Sequence, residues 1–499
     1  MKEIMHRLNQ LLRGFPRIAL YLLYTAITFL TINAYIHYAG EGYVYLLFTV
    51  ISNVLLYLGF RKKALFFDTF IGIFFWLGFW LKVTVRVGFS SGVFHEPTGS
   101  FDGSGAAFDR GLLVASSGLF ALVVATLIRE RFFCYPDKDN QEIFQKGLFN
   151  IYQKNRGLVL ISFIFMFLFI SLSNLYFGIY QRGQVPGTIL PYGLGGIYKW
   201  LLLFGLASFA AIILRFEYLL GKKNPYWVAV LSLGESFFSN VSLLSRGMVL
   251  NSTALFYGLF KSLKFNSVSL SLRFLVIISL IFSVFFVSSV LLVNYLRSHD
   301  TVLSRSVDKS KPSDASTRAE IEVRADVDVR LVKGMTTPLF IDRWVGIEGV
   351  LAVSSSQKVG PDLWQKAWKE IYSDYGTSFY DLNLIKSPYL GMDVAKNHYI
   401  SLPGIIAFCF YLGSFWFLFG AMFLIGLIGA SIDVFVYKFG GKNLILCSLL
   451  AQVVAFRFAS FGYVPSQTYL LFGTLFLNVI IIYGADKLLK SRSRNGITS

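Results

Sequence analysis

Cysteine is almost missing from this 499-residue chain: Cys134, Cys409 and Cys447 are all there is. Three scattered thiols support neither a disulfide framework nor the paired spacing of a zinc site. Charge is scarce as well, at 15% of residues, where a soluble domain carries roughly a quarter. Histidine occurs five times. No Gly-rich loop ends in Lys-Ser or Lys-Thr, so the backbone cradle that holds nucleotide phosphates is not expected. No internal repeat or inverted half stands out, which weakens a transporter reading. Two close acid pairs, Asp137/Asp139 and Asp326/Asp328, are the nearest approach to a metal-binding carboxylate motif. The first lies in a connection too short for a catalytic domain, the second on an alternating polar stretch, and no metal site is expected from either.

What remains is hydrophobic. Apolar residues make up 55% of the chain, 51 of them Phe, and mean hydropathy is +0.60. Long apolar runs alternate with short basic turns. Twelve runs approach the length a bilayer demands: 17–36, 43–60, 64–85, 111–128, 157–178, 196–215, 226–242, 247–262, 272–294, 413–434, 443–459 and 467–484. The expected fold is an all-α polytopic membrane protein. Residues 1–296 hold the first nine spans, 297–400 form one large polar loop with short helices or strands, and 401–499 return through a half-helix and three more spans. A cleavable leader is not expected, because Met1 to Arg17 is basic and amphipathic and a full-length span follows.

Net charge is +18, which on a soluble protein suggests nucleic acid. Here the excess belongs to topology. With the N-terminus inside, cytoplasmic segments hold 25 basic residues and short outer segments seven. That asymmetry puts both termini in the cytoplasm and the 297–400 loop outside; in a bacterium this is the inner membrane and the periplasm. Within the loop, Glu320 to Leu331 alternates polar and apolar residues like a strand with one wet face. Asp362 to Tyr375 spaces its aromatics like an interfacial helix.

Candidate chemistry gathers at that outer face. Arg246 sits in Ser245-Arg246-Gly247 between two short spans. Arg86 ends the third span, one turn after Lys82. Arg343 lies in Asp342-Arg343-Trp344-Val345-Gly346-Ile347-Glu348-Gly349, and Arg324 and Arg330 lie on the alternating stretch. An arginine at membrane depth costs about 2.5–3.5 kcal/mol on insertion scales, so it normally faces a cavity and a partner. Its planar fork grips phosphate oxygens in pairs. Several such forks outside, without a nucleotide fold, point to a lipid-linked phosphate. Deprotonating an attacking sugar hydroxyl needs a base, and the outer candidates are His398, just before the chain re-enters the membrane, and Glu348.

Three stretches, with the span pattern, resemble the bacterial O-antigen and polysaccharide polymerases of the Wzy type. They are Leu244-Ser245-Arg246-Gly247, Arg343-Trp344-Val345-Gly346-Ile347-Glu348, and His398-Tyr399-Ile400-Ser401-Leu402-Pro403-Gly404. The resemblance implies a metal-independent, cofactor-free glycosyltransferase. It would move a glycan from one undecaprenyl pyrophosphate onto the end sugar of another lipid-linked repeat unit. Its partners would be those lipid-linked glycans, membrane lipids, a chain-length regulator and a flippase, with no nucleic acid. Arg246 and Arg343 would hold pyrophosphate, helped by Arg86, Arg330 and Arg324, and His398 or Glu348 would act as base. The family's two notable outer loops would correspond to 87–110 and 297–400. An O-antigen ligase shares this architecture and is the nearest alternative. A lipid-linked oligosaccharide flippase is the alternative of another class, and it predicts charge along the span interiors.

Overall fold

The computed structural model describes residues 21–133, 135, 145–220, 226–245, 247–265, 272–307, 341–372, 377–385 and 400–495. Among them the fold is helical, with no extended strand. A helix stands at each of the twelve expected positions. These are α1 (21–37), α2 (Gly42–Gly59), α3 (Phe66–Ser90), α4 (Gly105–Arg129), α6 (Arg156–Phe177), α7 (Pro191–Leu219), α8 (Tyr226–Ser242), α9 (Met248–Phe265), α10 (Leu272–Val307), α14 (Phe415–Phe439), α15 (Leu444–Ala459) and α16 (Thr468–Asn495). Between them lie the shorter α5 (Lys146–Lys154), α11 (Ile347–Ser354), α12 (Pro361–Trp368) and α13 (Ile405–Cys409). Among the described residues, eight helices are long and apolar enough to cross a membrane, namely α2, α3, α4, α6, α7, α10, α14 and α16. The chain is thus a polytopic helical protein of the membrane kind.

Local signals set the helix starts. Ser104 Oγ accepts from Ala107 N at 3.3 Å to begin α4, and Asn443 Oδ1 accepts from Ile445 N at 3.0 Å to begin α15. Asp68, in the first turn of α3, accepts from Leu65 N at 2.9 Å. The alternating stretch at 320–331 lies outside the described residues. The interfacial helix expected over 362–375 is shorter, running Pro361–Trp368. Its two tryptophans stack with ring centres 5.5 Å apart and meet Phe417 and Phe408.

Charge inside the bundle is tied down at the end where α3 begins. Asp68 pairs with Arg129 at the end of α4. Asp433 of α14 accepts from Phe67 N at 3.0 Å and from the Tyr135 hydroxyl at 2.6 Å. Lys261 of α9 donates to Ala64 O at 2.8 Å and lies over the Phe66 ring. These bonds lock α3, α4, α9 and α14 together, and they leave the opposite end, where α3 stops at Ser90, to build the site.

Candidate functional site: a charged cavity at the far end of α3

α3 carries a wide π-helical turn over Trp76–Leu81, a feature that often marks functional sites. Trp76 and Trp80 stack there, ring centres 4.8 Å apart, and their indole N–H groups donate to Asn53 and Thr49 on α2. The turn brings Lys82 inward, where it is 1% exposed. Its Nζ donates to Glu348 Oε1 at 2.8 Å and Oε2 at 3.0 Å, and also to the carbonyls of Trp344 and Asp342. One turn later, Arg86 grips Asp342 through both Nε and Nη2. Two cations of one helix thus hold both ends of the 342–348 segment.

Backbone contact completes the joint. A Cβ on Gly346 would lie 2.4 Å from Gly78 O, and one on Gly78 would lie 2.4 Å from Val345 O. Only glycine permits so close an approach at this crossing. Trp344 rests beside Phe74, ring centres 5.9 Å apart. Gly349, in turn, lies hard against Pro403 O, so the returning segment closes on α11.

These contacts enclose a cavity of about 280 Å³. Small-molecule sites span roughly 300–1,000 Å³, so it has room for a reacting headgroup and not for a whole oligosaccharide repeat. Arg343, Glu348, Tyr380, Ser401 and the Glu96-Pro97 turn line it, with Lys82 at its base. The 87–110 loop and the 297–400 loop therefore share one hollow. Burial pushes the Glu348 carboxyl up from its ordinary range, and the Lys82 ammonium opposes that shift. Burial, followed by the nearby carboxylates of Glu348, Asp381 and Glu96, holds the Tyr380 hydroxyl well above its usual value.

Of the seven residues singled out in the sequence, Arg343, Glu348 and Arg86 come together here. Arg343 lines the cavity and also a smaller hollow walled by Phe74, Phe456 and Ser460. Glu348 pairs with Lys82, and Arg86 lies beside the cavity, bound to Asp342. Arg246, Arg324, Arg330 and His398 lie outside the described residues. The neighbours of Arg246 are informative. Leu244 holds φ +49°, a left-handed conformation that is costly for a branched side chain and clusters at working sites. Its carbonyl accepts from Arg297 at 2.7 Å. α9 starts just after this turn and runs antiparallel to α15, where Ser448 Oγ donates to Ala254 O at 2.6 Å. The far end of α15 supplies Phe456 and Ser460 to the Arg343 hollow, so the turn at Leu244 belongs to the same end of the bundle.

Sequence reading missed Lys82 and Asp342 as partners, and it missed Asp381. Asp381 is fully buried beside Tyr380; its Oδ2 accepts from Ser401 N at 2.9 Å, while Oδ1 has no partner. The one available signal was the Lys82-x-x-x-Arg86 spacing, which puts two cations on one face of a helix end. Comparison with known protein families, with curated proteins and with solved structures finds no match for this chain.

Proposed function

We propose that this protein is a membrane glycosyltransferase that polymerises undecaprenyl-pyrophosphate-linked repeat units into a surface polysaccharide. In this reading all twelve long helices cross the inner membrane, both termini are cytoplasmic, and the charged cavity faces the periplasm. The observation that supports it most is the joint itself: Arg343 is presented into a polar hollow at the end of an apolar bundle, where a lipid headgroup arrives. The acceptor sugar hydroxyl loses its proton to His398 and attacks the anomeric carbon of the donor. The bond to pyrophosphate breaks, and the lipid pyrophosphate leaves as an anion.

Charge balance assigns the roles. The cavity lining holds Lys82 and Arg343 against Glu96, Asp342 and Glu348. Lys82 is spent on Glu348, and Arg86 on Asp342. A diphosphate needs more positive charge than that, and Arg246, Arg324 and Arg330 are the residues to bring it. Arg86 and Glu348 then act from behind, by fixing the segment that carries Arg343.

The test is a surface-glycan gel from cells whose own gene is replaced by variants. Arg343→Ala and Arg246→Ala should remain in the membrane and leave single repeats where long chains stood. Chains of normal length and amount would remove the clamp role. Loss of all glycan from lipid A core, with polymer accumulating on its lipid carrier, would identify an O-antigen ligase instead.

A further inference from the structure

α8 turns polar side chains into the bundle at mid-span. Glu235 is 1% exposed and Ser236 and Ser239 are fully buried. Glu235 Oε1 accepts from Ser239 Oγ at 2.8 Å and Oε2 from Ser236 Oγ at 3.4 Å. Among the described residues no cation touches it. Among the described residues, the charged side chains on the helices packed against α8 reach groups away from its middle. On α6, Arg156 pairs with Glu217 of α7. Lys199 of α7 lies over Tyr180, Lys261 of α9 reaches Ala64 O, and Arg297 of α10 reaches Leu244 O. Arg215 lies near the end of α7.

α10 carries unfilled polar groups along the face that it packs on α8. Tyr226 meets Phe274 with ring centres 4.9 Å apart, Phe237 meets Phe285 at 5.5 Å, and Arg297 binds Leu244 O at the top. The two helices therefore run parallel, and the buried stripe of α10 lies on α8. That stripe includes Ser289, fully buried and level with the last turn of α8, and Asn294, 3% exposed and about one turn further on. Ser289 Oγ and both amide atoms of Asn294 have no partner. Leaving a buried donor or acceptor empty costs about 1–3 kcal/mol, so such atoms normally hold water or an ion. On α8, Asn240 Oδ1 lies 3.1 Å from the place a Cβ on Gly247 would take, so the polar seam runs up to the turn at the cavity end of the bundle.

We propose that the α8–α10 seam is a monovalent-cation site: Glu235 holds one exchangeable positive charge, a proton or Na⁺, delivered along water bound to Asn294 and Ser289. An ionised carboxylate buried among hydroxyls alone is too costly to stand without a counter-charge. The serine oxygens beside it, and the amide oxygens further along the seam, are hard donors suited to a small cation. The site goes beyond glycan transfer and stands whether or not that reading does.

The test uses the full chain in lipid nanodiscs and dicyclohexylcarbodiimide, which attaches to protonated carboxyls in apolar surroundings, mapped by mass spectrometry. Glu235 should be modified at mildly acidic pH in sodium-free buffer. Modification should fall about tenfold as pH rises if the ion is a proton. It should fall comparably when NaCl replaces choline chloride at fixed pH if the ion is Na⁺. Modification indifferent to both, or none at Glu235 while the unfolded chain is labelled there, overturns the proposal. Glu235→Gln, a neutral isostere, should keep the melting midpoint. A loss as large as that of Glu235→Ala would mean a fixed structural carboxylate and would also overturn it.

Discussion

Lys82 has three protons to give and four acceptors within reach, two on Glu348 and two on the backbone of 342–344. Such saturation is what a buried ammonium requires. Lys82→Met strands Glu348 in an apolar surround, and breaking a buried pair this way costs about 3–5 kcal/mol. The pH dependence has a definite sign. Burial already raises the Glu348 carboxyl, and without Lys82 it rises further. A carboxyl whose folded pKa exceeds its unfolded one contributes stability below the ordinary Glu range and loses it as pH climbs through the folded value. The melting gap between wild type and Lys82→Met should therefore widen from pH 5 to pH 8, and Lys82→Met with Glu348→Gln should close most of it. A gap that is flat with pH would mean that Glu348 stays ionised without its partner. At this scale the sequence was legible in part. Arg86, Arg343 and Glu348 were visible as outward polar residues, but Glu348 bonds to Lys82, and two residues 266 positions apart give no local sign of their contact.

Among elements, the joint between α3 and the 342–349 segment carries the site. Gly78→Ala and Gly346→Ala each drive a Cβ to 2.4 Å from a backbone oxygen. Overpacking of that kind costs about 1–3 kcal/mol, and here it levers Arg343 away from the cavity. Both variants should keep full helical circular dichroism, melt several degrees lower and lose long-chain product. Normal product from Gly346→Ala would show that this approach is incidental. At the opposite end, Arg129→Met isolates Asp68 and should cost about 3–5 kcal/mol by the same buried-pair rule, seen as a lower melting midpoint without a selective effect on chain length. Helix positions were legible because long apolar runs with basic flanks leave few alternatives. The π turn at Trp76–Leu81 was not, since nothing in WLGFWL departs from a normal helical pattern. Where a half-helix was expected after Leu402, α13 is followed by a 3₁₀ turn, Phe410–Leu412, that ends at Gly413 with φ +76°.

For the whole molecule, the asymmetry of basic residues predicts an orientation, and the orientation decides which solutes meet the cavity. Single cysteines at Glu96 and Lys358 should react with a membrane-impermeant maleimide in intact spheroplasts. One placed at Lys154, near the opposite end, should react only after lysis. Reversed accessibility would put the cavity in the cytoplasm and leave it without lipid-linked repeats. That the chain is a helical membrane protein could be read from composition alone. That two loops more than 200 residues apart close one hollow could not, because the ion pairs from α3 that hold the 342–348 segment there are visible only in three dimensions.

Arg343 should stabilise a departing lipid pyrophosphate, and in vitro transfer measures that directly. Purified protein in nanodiscs, given undecaprenyl-pyrophosphate-linked repeat units and nothing else, should build a ladder of chain lengths. Each charged hydrogen bond from a guanidinium contributes about 1.5–3 kcal/mol, so Arg343→Ala should slow the ladder roughly 10- to 150-fold. A ladder of wild-type rate from Arg343→Ala, or no ladder from the wild type with a sound donor, would contradict that role.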